Sequence, residues 1–200
     1  MRHSILLSFA LVLFAGAASS QDYDNMWVKF QKSPSSLSAG SISNNTTETD
    51  VDWGDLDQNG YVDVVVVRKQ PFTSTGKRTN VLLMNYGGVL TDMTVAFASS
   101  SSDVPGDLGF RTATNDRDVV VADVDNDGWL DVITATTISD GDPKHIGHPR
   151  VYMNLGEDGN GDWLGLDFQD ARMPQLLHFT TGPPLNPRFC SVDAGDVTGD

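Results

Sequence analysis

One cysteine, Cys190, occurs in 200 residues, so no internal disulfide framework holds this chain together. Stability must come from packing or from bound metal, and within "RFCSV" the thiol reads as a small buried apolar residue of a strand. Basic residues are scarce: 13 Lys and Arg stand against 27 Asp and Glu, for a formal net charge of −14. Such a surface repels polyanions, which excludes nucleic acid and anionic lipid as partners and points to cations. Long apolar runs are absent beyond the first residues, so no later segment is expected to cross a bilayer. Nucleophile-elbow, phosphate-loop and zinc-protease patterns are absent, as is any Cys–His pairing cue, and no catalytic residue is assigned. What is present is 39% hydrophobic and 20% charged residues, enough for a buried core and too apolar for wholesale disorder.

The single apolar run, "ILLSFALVLFAGAA" over residues 5–18, follows Arg2 and His3 and precedes small residues at Ala18 and Ser20 before Gln21. It reads as a signal peptide over residues 1–20, because it is short for a span and lacks a basic stop-transfer flank. The mature protein is therefore expected to be exported: extracellular, periplasmic or at the cell surface, without membrane insertion. Residues 21–48 hold one strand candidate, "MWVKF", and a Ser-, Thr- and Asn-rich connection in which Asn44 and Asn45 open N-x-Thr sequons.

From residue 49 onward the chain repeats. "VDWGDLDQNGYVDVVVV" (51–67), "VVVADVDNDGWLDVITA" (119–135) and "SVDAGDVTGD" (191–200) align on Asp55, Asp123 and Asp196, spaced by 68 and 73 residues. "NVLLMNYGG" and "PRVYMNLGE" add a second match, with Asn85 and Asn154 separated by 69. Two independent features at one period define an internal repeat. Each unit carries β-branched runs bounded by turn residues, including "VDVVVV" and "LDVITATT", and "VLTDMTVAF" and "LGLDFQD" supply a fourth strand. About four strands in a unit of roughly 70 residues predict an all-β fold, a β-propeller of four-stranded blades. The blades would span about 49–116, 117–187 and 188 onward, two blades and the start of a third. Two blades and a strand cannot close a ring, so the chain is expected to be an N-terminal part of a longer protein in which "MWVKF" pairs with the last blade.

The recurring loops have the oxygen donors of a hard-cation site. Asp123, Asp125 and Asp127 occupy loop positions 1, 3 and 5, Gly128 permits the sharp turn, the Trp129 carbonyl falls at position 7 and Asp131 at position 9. The first repeat gives Asp55, Asp57, Asn59, the Tyr61 carbonyl and Asp63, with Gly60 at the turn. The third gives Asp196, Thr198 and Asp200. An EF-hand would need an acid at position 12 and flanking helices, but Val66 and Thr134 stand there within β-branched runs. Carboxylates so close together repel unless a cation neutralises them. Calcium suits a loop with a full set of protein oxygens, whereas magnesium keeps its waters.

This D-x-D-x-D-G-x-x-D pattern between strands, with "NVLLMNYGG" and "PRVYMNLGE" downstream, resembles the FG-GAP and VCBS repeat proteins, whose fold is that of the integrin α-subunit N-terminal β-propeller. The resemblance covers residues 50–200. It implies calcium bound near one face of the propeller by Asp55, Asp57, Asn59, Tyr61, Asp63, Asp123, Asp125, Asp127, Trp129 and Asp131, while Asp196, Thr198 and Asp200 match the first part of the motif. The expected function is a secreted binding or adhesion module with structural calcium and a protein or carbohydrate ligand. The alternative is the propeller part of an exported carbohydrate-active enzyme such as a polysaccharide lyase.

Three further features have plain readings. His145 and His148 lack a third zinc ligand and are expected to be exposed loop histidines. Asp158, Asn160 and Asp162 have glycines in the wrong places for calcium and predict a wide hairpin turn. Trp53, Trp129 and Trp163 are expected to pack within or between blades rather than to stack on sugars.

Overall fold

The computed structural model describes residues 37–38, 47–70, 76–137, 142–182, 185 and 188–196, all within the unit Ser33–Asp200. The segment expected to be a signal peptide, "MWVKF", the sequon asparagines Asn44 and Asn45, Thr198 and Asp200 lie outside the described residues.

The β-branched runs form two sheets of the same design. The first contains β1 (Leu37–Ser38), β2 (Glu48–Gly54), β3 (Asp63–Arg68), β4 (Val81–Tyr86) and β5 (Val89–Asp92), in the order β1-β5-β4-β3-β2. The second contains β6 (Ser100–Ser101), β7 (Asp116–Ala122), β8 (Asp131–Thr136), β9 (Arg150–Asn154) and β10 (Leu166–Phe168), in the order β6-β10-β9-β8-β7. Four strands of each sheet form an antiparallel meander. A two-residue fifth strand lies parallel to the outermost one, β1 on β5 and β6 on β10. The repeat extends to irregularities, since the register slips between Glu48 and Asp50 and again between Asp116 and Asp118.

The expected all-β class therefore holds, with differences in detail. Each sheet has five strands rather than four, and β6 joins the second sheet although its residues precede the second acidic loop. The strand expected over "VLTDMTVAF" stops at Asp92. The Asp92 carboxylate accepts the Thr94 N–H at 3.1 Å and the Thr94 hydroxyl at 2.7 Å, which draws the chain into the single-turn helix α1, Thr94–Phe97. One further helical turn, α2, covers Lys144–Gly147.

The main core lies between the sheets. Val65, Val67, Leu82 and Met84 from the first face Val119, Val132, Tyr152, Leu166 and Phe168 from the second, with Leu56, Ala98 and Phe110 filling the space between. Burial of each large apolar side chain here contributes about 1.5–3 kcal/mol. Along the side where β2 and β7 meet, aspartates strap the strands together. Asp50 Oδ2 accepts the Val119 N–H at 3.2 Å, and Asp52 Oδ2 accepts the Val121 N–H at 2.7 Å. Asp118 Oδ2 does the same for Val192 at 2.8 Å, so the third repeat begins beside β7 as β7 lies beside β2.

Two sequence expectations are corrected by segments that cross this frame. Residues 188–192 are not a strand, and Cys190 is exposed. That segment touches the second sheet through the Phe189 N–H to Thr136 O bond (3.3 Å) and the Val192 bond, while the thiol meets Arg117 Nη1 at 3.9 Å and the Arg188 carbonyl at 4.0 Å. His148 is buried rather than exposed, because residues 175–176 cross over it. Its Nε2 accepts the Leu176 N–H at 3.3 Å, and burial, reinforced by the Lys144 charge, pushes its pKa down. His145 is half-buried, and neither histidine joins a group of metal-ligating side chains among the described residues.

Gly165 gives a direct test of the packing. Its φ is +88°, and a Cβ would stand 2.4 Å from Phe97 O and 2.9 Å from Phe97 Cα. Gly165→Ala is expected to cost about 2 kcal/mol or more, from backbone strain and collision with main chain. Urea unfolding measures it, and an unchanged midpoint would show that the turn at Phe97 yields freely.

Candidate metal centre

The first acidic loop joins β2 to β3. Its anchor is Asp63, fully buried, whose Oδ1 accepts the Asn85 N–H at 2.7 Å and whose Oδ2 accepts the Leu56 N–H at 2.9 Å. Asp55 Oδ2 accepts the Gly60 N–H at 2.9 Å, closing the turn. That turn needs left-handed backbone at Gln58 (φ 55°) and Gly60 (φ 87°), which Gly60 supplies without strain. Asn59 Oδ1 accepts the Tyr61 N–H at 2.8 Å, and Asn59 Nδ2 donates to Asp57 Oδ2 at 3.0 Å.

The second loop, from β7 to β8, repeats this wiring. Buried Asp131 accepts the Asn154 N–H at 2.8 Å and the Val124 N–H at 3.0 Å. Asp123 Oδ2 accepts the Gly128 N–H at 3.0 Å, Asp127 Oδ1 accepts the Trp129 N–H at 2.8 Å, and Asn126 (φ 58°) with Gly128 (φ 92°) make the turn.

Each loop thereby gathers three carboxylates. One oxygen from each of Asp55, Asp57 and Asp63 lies within 4.8 Å of the others, and the same holds for Asp123, Asp125 and Asp131. Either group can hold a metal ion. Burial, with the Asp57 and Asp55 charges adding to it, pushes Asp63 up to about 6 even though two N–H groups favour its ionised form. Burial raises Asp131 too, with help from Asp125 and Asp127, and burial raises Asp57. Asp55 Oδ1 is buried without any hydrogen-bond partner. A carboxylate oxygen in that state is costly unless a cation takes it, so the donor set fits a hard metal.

The remaining proposed ligands are placed as follows. Asn59 and Asp127, at position 5, use a side-chain oxygen on the loop's own N–H groups and stand outside the two carboxylate groups. Tyr61 is exposed and Trp129 half-buried at position 7. Arg172 Nη2 lies 3.3 Å from Asp125 Oδ2, partly offsetting the charge of the second loop. Asp196 is exposed and lines a cleft of about 540 Å³ with Asp123, Asn126 and Asp193. Thr198 and Asp200 are outside the described residues.

Asn85 and Asn154 support the sites beyond their backbone N–H bonds. Asn85 Nδ2 holds the Val62 carbonyl at 2.9 Å; Asn154 Nδ2 holds Leu130 O at 3.0 Å and, across the sheets, Leu56 O at 2.8 Å. Gln58 Nε2 reaches the Gly128 carbonyl at 2.9 Å, so the two loops brace each other. Sequence reading used both asparagines only as repeat markers; their recurrence at 69 residues was the available signal. The segment with Asp158, Asn160 and Asp162 is a hairpin turn closed by the Glu157–Trp163 bridge. Trp163 packs on Phe97 at 5.0 Å, whereas Trp53 is 62% exposed, against the expectation of packing.

No family model matches this chain, and no curated protein or solved structure does either.

Proposed function

We propose that this chain is a secreted calcium-binding β-propeller repeat protein of the FG-GAP and VCBS kind, acting as a binding or adhesion module with a protein or carbohydrate ligand. Calcium is structural: Asp55, Asp57 and Asp63 hold one ion, and Asp123, Asp125 and Asp131 hold another. The observation that carries this reading is that two loops 68 residues apart place three carboxylates together with the same backbone wiring, one of them with an orphaned buried oxygen. A solvated acidic turn has no reason to repeat so closely. Bound calcium neutralises each loop and fixes the junction between the first two strands of each meander.

Loop charge ranks the sites. Each group brings three carboxylates together, and at position 5 the second loop adds the neighbouring charge of Asp127 where the first has the neutral Asn59. Calorimetric titration of Asp55→Ala and Asp123→Ala variants is expected to find one remaining site in each, the tighter one in Asp55→Ala. Absence of calcium binding to the unmodified chain overturns the metal assignment, and equal affinities overturn the ranking.

A further inference from the structure

A hydrogen-bonded path joins the two carboxylate groups through the interior. Asp63 Oδ2 accepts the Leu56 N–H at 2.9 Å, the Leu56 carbonyl accepts from Asn154 Nδ2 at 2.8 Å, and the Asn154 N–H donates to Asp131 Oδ1 at 2.8 Å. One residue from each repeat therefore links the buried acid of the first loop to the buried acid of the second. Leu56, Asp63 and Asp131 are fully buried and Asn154 nearly so, and in such surroundings these bonds are stronger than they would be in water.

Both linking residues are held in place. The Leu56 side chain belongs to the core between the sheets, which restrains its backbone. The Asn154 amide is used at both ends: Oδ1 accepts the Trp163 Nε1–H at 2.8 Å and the Gly156 N–H at 3.1 Å, while Nδ2 donates to Leu56 O and, at 3.0 Å, to Leu130 O. A flipped amide would lose all of these bonds. A second link runs along the surface, where Gln58 Nε2 donates to the Gly128 carbonyl at 2.9 Å and ties the left-handed turn of one loop to that of the other.

Without a cation, carboxylate oxygens within 4.8 Å of one another repel, and that repulsion works against the closed form of either loop. The loops share Leu56, Asn154 and the Gln58 brace, so a loop that opens strains bonds on which its neighbour depends. We propose that the two loops bind calcium cooperatively, with Asn154 and Gln58 as the coupling residues: occupation of either loop fixes the shared bonds and raises the affinity of the other. The coupling is reciprocal, so each site raises the affinity of the other by the same factor, about 5-fold or more. Charge acts in the opposite direction, since an ion in one loop weakens the field that attracts an ion to the other. Salt screens that effect and leaves the buried bonds intact. The inference rests on the reading that both loops hold calcium.

The test is calorimetric titration with calcium in about 1 M salt, where the Debye length is about 3 Å. The product of the two stepwise association constants of the unmodified chain is divided by the product of the single-site constants of Asp55→Ala and Asp123→Ala. Independent sites give a ratio of one, and a ratio of about 5 or more is expected. The same titrations with Asn154→Ala added are expected to bring the ratio close to one, and with Gln58→Asn added to lower it. Asn at position 58 is too short to reach Gly128 but keeps the left-handed turn, as Asn126 does in the second loop, so this variant decides the matter if Asn154→Ala does not fold. Absence of calcium binding overturns the metal assignment itself. Two bound ions with a ratio of one, or a ratio that either folded variant leaves unchanged, overturn the coupling and leave the metal assignment standing.

Discussion

Calcium chelation at about pH 7 is expected to lower the melting temperature by about 10–20 °C. With free metal 100-fold above its dissociation constant, each site adds about 2.7 kcal/mol, so two sites add about 5. For a domain of this size each kcal/mol moves the melting temperature by about 2–4 °C. The effect has a defined pH dependence. Burial raises Asp63 from 3.8 to about 6, so without metal this group favours folding fully below 3.8 and loses that contribution as pH rises through about 6. Asp131 and Asp57 are shifted in the same direction. Calcium needs the ionised form that the metal-free protein disfavours, so protons compete with it below about pH 6. The difference between calcium and chelator melting curves is therefore expected to shrink sharply by about pH 5, with proton release on calcium addition near pH 6. Scanning calorimetry across this range checks both. Superimposable curves at neutral pH would sink structural calcium, and an increment that does not fall with acid would show that the buried carboxylates are not ligands.

The parts of this picture that were legible in sequence are those that local spacing encodes. Alternating acids and a glycine specify a tight turn, and β-branched runs specify the strands on either side, so two acidic loops between strands could be read directly. The repeat supplied the confirmation that a single loop lacks. What escaped depends on chain crossings with no local signature. His148 is buried because residues 175–176 cross it, and Cys190 is exposed because its segment gains only scattered bonds to the second sheet. The aspartates Asp50, Asp52 and Asp118 looked like ordinary strand acids. Their partners are backbone N–H groups 69 to 74 residues away, and nothing in composition marks a carboxylate that straps one strand to another. The short parallel strands β1 and β6 have two residues each, too few to show alternation. Arg150 was hidden for a related reason. In "PRVYMN" it looked like a polar residue beginning a strand, while its partner lies 43 residues upstream in the connection between the sheets.

That partner defines the other large expected effect: Asp107→Ala should destabilise the chain by about 3–5 kcal/mol. Arg150 is fully buried, and its ion pair with Asp107 is bidentate, 2.8 Å from Nη2 to Oδ1 and 3.0 Å from Nη1 to Oδ2. The other guanidinium N–H groups are also paired: Nε with the Tyr152 hydroxyl at 2.7 Å, Nη1 with the His145 carbonyl, and Nη2 with the Gly109 carbonyl at 3.3 Å. The Phe168 ring lies 3.5 Å beneath the guanidinium carbon. Burial alone would lower the Arg150 pKa, but Tyr152 and Asp107 outweigh it and hold the charge in place. Removing Asp107 strands a charge that cannot be shed, because arginine does not deprotonate in proteins. The connection between the sheets loses its tie to β9 in the same step. Arg150→Met with Asp107→Leu removes both charges and restores apolar volume, so the double variant is expected to be more stable than Asp107→Ala. Chemical denaturation of the unmodified chain and the two variants measures the difference. A loss below about 1 kcal/mol in Asp107→Ala would mean that water reaches the guanidinium and that the pair behaves as a surface salt bridge.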